Sequence, residues 1–118
     1  MAIRSYKDLE VWQEGIELAV QLYECTDRFP AYERYGISSQ MCRAAVSIPS
    51  NIAEGQCKSR SEFLHHVTHS RGSRQELMTL IVIAERQRYG SGELLDPICD
   101  RAAREGRLPS GLRSFLTP

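Results

Sequence analysis

A chain of 118 residues, 42% hydrophobic and 25% charged, has room for one domain (1–118) with a modest core and not for two. Lys plus Arg number 15 and Asp plus Glu number 15, so the formal net charge is zero and the chain as a whole is not a polybasic nucleic-acid binder. No run of about twenty apolar residues offers a membrane span, and Glu10 and Glu14 arrive before any apolar leader core, so the expected compartment is the cytosol.

The charge is unevenly spread. Through Tyr35 the chain is acidic, with Glu10, Glu14, Glu17, Glu24 and Asp27 among its charges, whereas the middle is basic, with Arg43, Lys58, Arg60, Arg71 and Arg74. Such asymmetry marks either a charged binding face or two helices that attract each other. Period-two alternation is poor throughout, so strands are not expected and the signals are helical.

The first predicted helix runs from about Lys7 to about Arg28. Leu9, Trp12, Ile16, Ala19, Val20 and Tyr23 recur at three and four and draw one apolar stripe. Val11, Leu18 and Leu22 draw a second beside it. Two stripes exceed what one packing partner requires and predict burial on two sides, within the bundle or between subunits. Phe29-Pro30 ends the helix, because the residue before proline avoids the helical region.

The second helix is predicted after the Tyr35-Gly36 break, with Ser38 or Ser39 as N-cap. Ile37, Met41, Ala44, Ala45, Ile48 and Ile52 form its apolar face. Arg43, Ser47, Ser50, Asn51 and Glu54 fall on the other side at about 100° per residue. Pro49 deletes the bond to the carbonyl of Ala45 and predicts a kink, and Gly55 is a suitable stop.

Ser59 with Glu62 has capping-box spacing and opens a third, longest helix that reaches Tyr89-Gly90. Phe63, Ser70, Leu77, Ile81 and Ala84 trace its core side, with Leu80 beside them. Gly72 in mid-helix costs about 1 kcal/mol against alanine, which predicts close approach of another helix there. A fourth helix holds Leu94, Leu95, Ile98 and Ala102, with Pro97 in its first turn. Gly106 and Pro109 predict a break before Leu112, Phe115 and Leu116 resume the pattern. Four helices with short connections predict an all-α, antiparallel up-down four-helix bundle. Cys25, Cys42, Cys57 and Cys99 are widely spaced within helical patterns and read as reduced, buried thiols.

Several segments in one order carry a resemblance. They are Tyr6-Lys-Asp-Leu-Glu-Val-Trp12, Phe29-Pro30, Glu33-Arg-Tyr-Gly36, Ser39-Gln40, Arg43-Ala-Ala-Val-Ser-Ile-Pro-Ser-Asn-Ile-Ala-Glu-Gly55, Glu62-Phe63, and Gly72-Ser73 with Glu76. Over about residues 6 to 90 the chain resembles the bacterial four-helix-bundle proteins encoded in intervening sequences of 23S ribosomal RNA genes. That resemblance implies a bundle assembled as a ring, typically a homopentamer. It also implies kinship with the accessory variability proteins of diversity-generating retroelements, which bind nucleic acid and a reverse transcriptase. It implies no established biochemical activity.

Three side-chain groups are candidates for function. The stripe of Arg43, Ser47, Asn51 and Glu54 reads as a structural seam, with Glu76 the natural carboxylate for Arg43, or as a ligand or phosphate site. Lys58, Arg60, Arg71 and Arg74 are the candidate nucleic-acid contacts. The three arginines lie within about 60° on the third helix, and no aromatic residue interleaves them to stack on bases. His65, His66 and His69 cluster on the same helix. His65 and His69 have the spacing of a two-histidine metal site, but Glu62 is the only nearby carboxylate, so neither metal nor cofactor is expected. Glu76, Cys99 and His69 can be drawn as a catalytic set, yet nothing in the spacing demands it, and no enzyme is expected. The leading expectation is a non-catalytic oligomeric bundle with nonspecific affinity for RNA or DNA, or a scaffold. The alternative is a protein-interaction module of unknown partner that binds no nucleic acid.

Overall fold

A computed structural model describes residues 5–105. Within them the chain forms four helices: α1 (Glu10–Thr26), α2 (Ile37–Gln56), α3 (Arg60–Arg86) and α4 (Gly92–Glu105). Short 3-10 turns at Tyr6–Asp8 and Ala31–Glu33 precede α1 and α2. Among the described residues there is no strand. Each helix packs against the next, most extensively α2 against α3, and α4 closes on α1. This arrangement is compatible with an up-down bundle. The expected break at Gly106 and Pro109, with Leu112, Phe115 and Leu116 beyond it, lies outside the described residues.

α1 starts later than its periodicity predicts, because Tyr6–Asp8 turns on its own. Ser5 Oγ accepts from the Lys7 amide at 3.2 Å, and Gln13 Nε2 donates back to the Lys7 carbonyl at 2.8 Å. The buried face of α1 is Val11, Gly15, Leu18, Ala19, Leu22 and Cys25. Ile16, Val20 and Tyr23 remain 37%, 48% and 56% exposed. The second, shorter stripe is therefore the core face, and much of the first faces out. Gly15 accounts for the choice: a Cβ there would stand 3.1 Å from Pro49 Cβ, so α2 sits against the side of α1 that has no side chain.

α2 begins at Ile37 rather than after a serine cap. Glu33 Oε1 accepts from the Ile37 amide at 3.4 Å and takes the capping role at the positive end of the helix. The helix continues through Pro49, which is buried. Where α2 ends, Gly55 meets α3, since a Cβ there would stand 2.7 Å from His66 Cβ and 3.3 Å from Phe63 Cα. Gly72 does not have the expected role: nothing lies within 4 Å of where its Cβ would be. The close approaches run through Gly15 and Gly55 instead.

Ser59 caps α3, accepting from the Glu62 amide at 3.3 Å and donating to Glu62 Oε1 at 3.2 Å. The far end closes with paired bonds, Arg88 amide to Glu85 carbonyl and Tyr89 amide to Ala84 carbonyl, both 3.0 Å. That closure places Arg88 at φ 61, a left-handed position usually held by glycine. Tyr89 then donates to Glu33 Oε2 at 2.7 Å and packs its ring, tilted by 47°, against Phe29, tying the end of α3 to the connection between α1 and α2. Bonds to Tyr32 and Glu33 push the Tyr89 phenol up from its ordinary value. In α4, Pro97 is the sixth helical residue and not in the first turn. The apolar pattern around it still holds, with Leu95, Ile98 and Ala102 buried.

The core has two parts. The larger joins all four helices through residues such as Leu18, Met41, Ile48, Leu77, Ile81 and Leu95. Each fully buried side chain of this size contributes about 1.5–3 kcal/mol. A smaller cluster of Leu9, Val11, Ile52, Phe63 and Val67, with Trp12 packed on it, fills the end where α1 starts.

Candidate nucleic-acid interface

The polar side of α2 is divided by what α3 offers it. Ser47 and Asn51 face α3 and are fully engaged. Asn51 Nδ2 donates to the Ser47 carbonyl at 2.9 Å and to Ser47 Oγ at 3.1 Å, and Ser73 Oγ donates to Ser47 Oγ at 2.8 Å. Asn51 Oδ1 lies 3.1 Å from His66 Nδ1, and Lys58 Nζ lies 3.2 Å from His66 Nε2. An ammonium only donates and a carbonyl oxygen only accepts, so these partners suit the His66 tautomer that donates from Nδ1 and accepts at Nε2. Ser70 Oγ, buried, donates to the Ile48 carbonyl at 3.0 Å. The result is a continuous seam from Lys58 through His66, Asn51 and Ser47 to Ser73.

Glu54 reaches across to α3 as expected, whereas Arg43 and Glu76 differ from the sequence expectation. All three are exposed, and among the described residues the recorded ion pairs involve neither Arg43 nor Glu76. Glu54 Oε2 comes within 3.9 Å of His66 Nδ1. The Arg43–Glu76 pairing is thus absent, for a physical reason: neutral hydroxyl and amide groups fill the α2–α3 contact without the desolvation that two buried charges require.

Of the four candidate phosphate contacts, Lys58, Arg60 and Arg71 are exposed, and Arg74 is half-buried. Lys58 stands at the α2–α3 turn and is held by His66. Arg60 opens α3, and Arg71 lies eleven residues on, roughly 16 Å along the axis. Arg74 folds back along its own helix, with Nη1 3.2 Å from Met78 Sδ and Nε buried without a hydrogen-bond partner. The three arginines share one side of α3, with Lys58 at the turn before it, and they are spread along the helix. They form a spaced row, suited to an extended polyanion more than to a single small anion.

The histidines separate. His66 turns inward to the seam, while His65 and His69 stay exposed with their Nε2 atoms 3.2 Å apart. The paper set of Glu76, Cys99 and His69 is not assembled. Cys99 sits among Glu85, Asp100 and Asp96, and Glu85 is about 24 Å along α3 from His69. Burial first, and then those carboxylates, push the Cys99 thiol up, and burial pushes Cys25 up to about 11, so both are poor nucleophiles at neutral pH.

Sequence reasoning missed one clamp. Arg101 on α4 donates to Glu14 Oε2 at 2.6 Å and to Gln21 Oε1 at 2.9 Å, both on α1. Glu14 and Gln21 are seven residues apart and so share a helix face, which was the available signal. A groove of about 590 Å³, lined in part by Tyr23, Phe29, Arg34, Tyr35 and Arg43, separates the end of α1 from the start of α2. No helix among the described residues is long and apolar enough to cross a membrane.

The model of a family described as 23S rRNA-intervening sequence proteins matches residues 7–110. Comparison with solved structures finds the crystal structure of a protein of unknown function from the S23 ribosomal protein family of Bacteroides thetaiotaomicron VPI-5482. The likeness has a TM-score of 0.74 at 21% identity and covers 92% of this chain and 99% of that one. At that identity the likeness concerns the fold. Comparison with curated proteins finds no match.

Proposed function

The chain belongs to the 23S rRNA-intervening sequence protein family, and on that premise we propose that it is a non-catalytic bundle that assembles with itself and holds nucleic-acid backbones without reading sequence. The observation that carries self-assembly is the outward stripe of Ile16, Val20 and Tyr23 on α1, together with exposed Val46 on α2. Three large apolar side chains at helical spacing on one face are an interaction surface and not scattered exceptions. Their charged borders are complementary: Glu17, Glu24 and Asp27 are exposed on and beyond α1, while Arg34 and Arg43 are exposed near the start of α2. A head-to-tail contact of unlike faces whose rotation closes gives a ring, and the family resemblance supports reading that ring as a homopentamer.

Nucleic-acid binding follows from repetition. One row of Lys58, Arg60, Arg71 and Arg74 on a chain of zero net charge holds few phosphates. Copies of that row around a ring act together, because each bound row raises the local concentration of the next. The partner is RNA or DNA, with no cofactor, and the protein works in the cytosol.

Mass measurement in solution together with a mobility-shift titration tests this reading. Val20→Glu is expected to give monomers, and nucleic-acid binding is expected to weaken with it. Binding by the intact protein is expected to fall steeply between about 50 and 200 mM salt. Undiminished binding by a monomeric Val20→Glu protein refutes the role of the ring. An intact oligomer with no binding at low salt leaves the protein-interaction module, whose partner is then a protein.

A further inference from the structure

We propose that His65 and His69 form a bidentate site for a divalent transition-metal ion of the Zn2+, Ni2+ and Cu2+ class on the outer face of α3. Both side chains are exposed and one helical turn apart, and their Nε2 atoms lie 3.2 Å apart. Two imidazole nitrogens bound to one such ion lie about 2.0–2.1 Å from it. For angles at the ion between a right angle and the tetrahedral value, those nitrogens stand about 2.9–3.4 Å from each other. The observed separation falls inside that window.

Without an ion the pair shares a proton: one Nε2–H donates to the lone pair of the other ring. The ion takes the place of that hydrogen, which passes through solvent from Nε2 to Nδ1 of its own ring, so that each ring keeps one hydrogen, on Nδ1. Imidazole suits ions of this class, whereas magnesium and calcium prefer oxygen.

The surroundings limit the site to two protein ligands. His66, next in sequence and with its ring centroid 6.3 Å from that of His65, is committed to Asn51 and Lys58. Glu62 is committed to the Ser59 cap. Among the described residues no group of three or more His, Cys, Asp or Glu comes together. Water therefore completes the coordination, and there is room for it: Gly72, one turn beyond His69, has nothing within 4 Å of where its Cβ would stand. Such a site exchanges its ion readily and braces one turn of α3.

Calorimetric titration of the full chain, carrying no oligohistidine tag, with Zn2+, Ni2+ and Cu2+ tests the proposal. One ion per chain is expected, and nitrogen coupling from two imidazoles is expected in the electron paramagnetic resonance spectrum of the Cu2+ form. His65→Ala and His69→Ala should each weaken binding by at least about tenfold, the loss that changes around a ligand already cause. Alanine is the best helix former, so both variants fold, and circular dichroism verifies it. Equal binding by the His65→Ala/His69→Ala protein, or no heat and no nitrogen coupling with the intact chain, overturns the proposal.

Discussion

Gly15 on α1 lies against the ring of Pro49 on α2, with 3.1 Å between Pro49 Cβ and the place a Cβ would take on residue 15. Pro49 is buried and its ring is rigid, so it cannot move aside. Gly15→Ala gains about 1 kcal/mol of helix propensity but overpacks the contact by about 1–3 kcal/mol. A net loss of up to about 2 kcal/mol is expected in urea denaturation. In a Pro49→Ala background the same change is expected to stabilise, because the obstruction is gone; an unchanged sign there refutes the contact's role.

Gly55 is more tightly held. Its virtual Cβ stands 2.7 Å from His66 Cβ and 3.3 Å from the Phe63 backbone, and backbone cannot yield as a side-chain tip can. Gly55→Ala is expected to lose about 1–3 kcal/mol despite better helix propensity. It should also loosen the Asn51–His66 bond, read as a change in the His66 imidazole resonances.

Arg88 occupies a left-handed position at φ 61. An L side chain there costs about 1–2 kcal/mol, partly offset by the extra chain entropy of glycine. Arg88→Gly is expected to raise stability by up to about 1 kcal/mol, and the melting temperature by several degrees. A lower melting temperature would show that the arginine side chain contributes more than its backbone strain costs.

The Arg101 clamp should be measurable as a coupling. Arg101 and Glu14 are partly exposed, at 21% and 38%, so water screens the pair. Arg101→Met and Glu14→Gln are each expected to cost about 0.5–1.5 kcal/mol. The double variant should cost clearly less than their sum; strict additivity would mean that α4 docks on Leu95, Ile98 and Ala102 alone.

Burial raises Cys25 from 9.0 to about 11. Between those values the unfolded chain has lost the thiol proton and the folded chain has kept it. Unfolding therefore releases a proton, and stability falls as pH rises above 9. The slope from this one group is at most about 1.4 kcal/mol per pH unit. Other groups titrate there as well, so the informative quantity is the difference from Cys25→Ala, whose curve should be flatter. Parallel curves would remove the burial argument.

The four helices were legible because their apolar residues recur at three and four. The Ser59–Glu62 cap was legible because its spacing is local. Orientation was harder. α1 offers two apolar stripes, and periodicity alone does not say which faces inward; a glycine fifteen residues into the chain and a proline in the next helix decide it. Gly72 misled for the same reason, since a glycine announces permissiveness and not the side from which a neighbour comes. Among site residues, the seam of Ser47 and Asn51 was on the expected face, but its partners Ser73 and His66 lie twenty-six and fifteen positions away. The expected charge pair of Arg43 with Glu76 assumed burial that neither residue has.

Trp12, the single tryptophan, rests on the small cluster at the α1 entrance and not on the large core shared by all four helices. Its fluorescence is therefore a local gauge. Should that thinly built end fray while the remainder holds, the emission will shift at lower denaturant than the far-ultraviolet ellipticity does, and an unfolding curve recorded by the indole alone will understate how much denaturant the four helices together withstand.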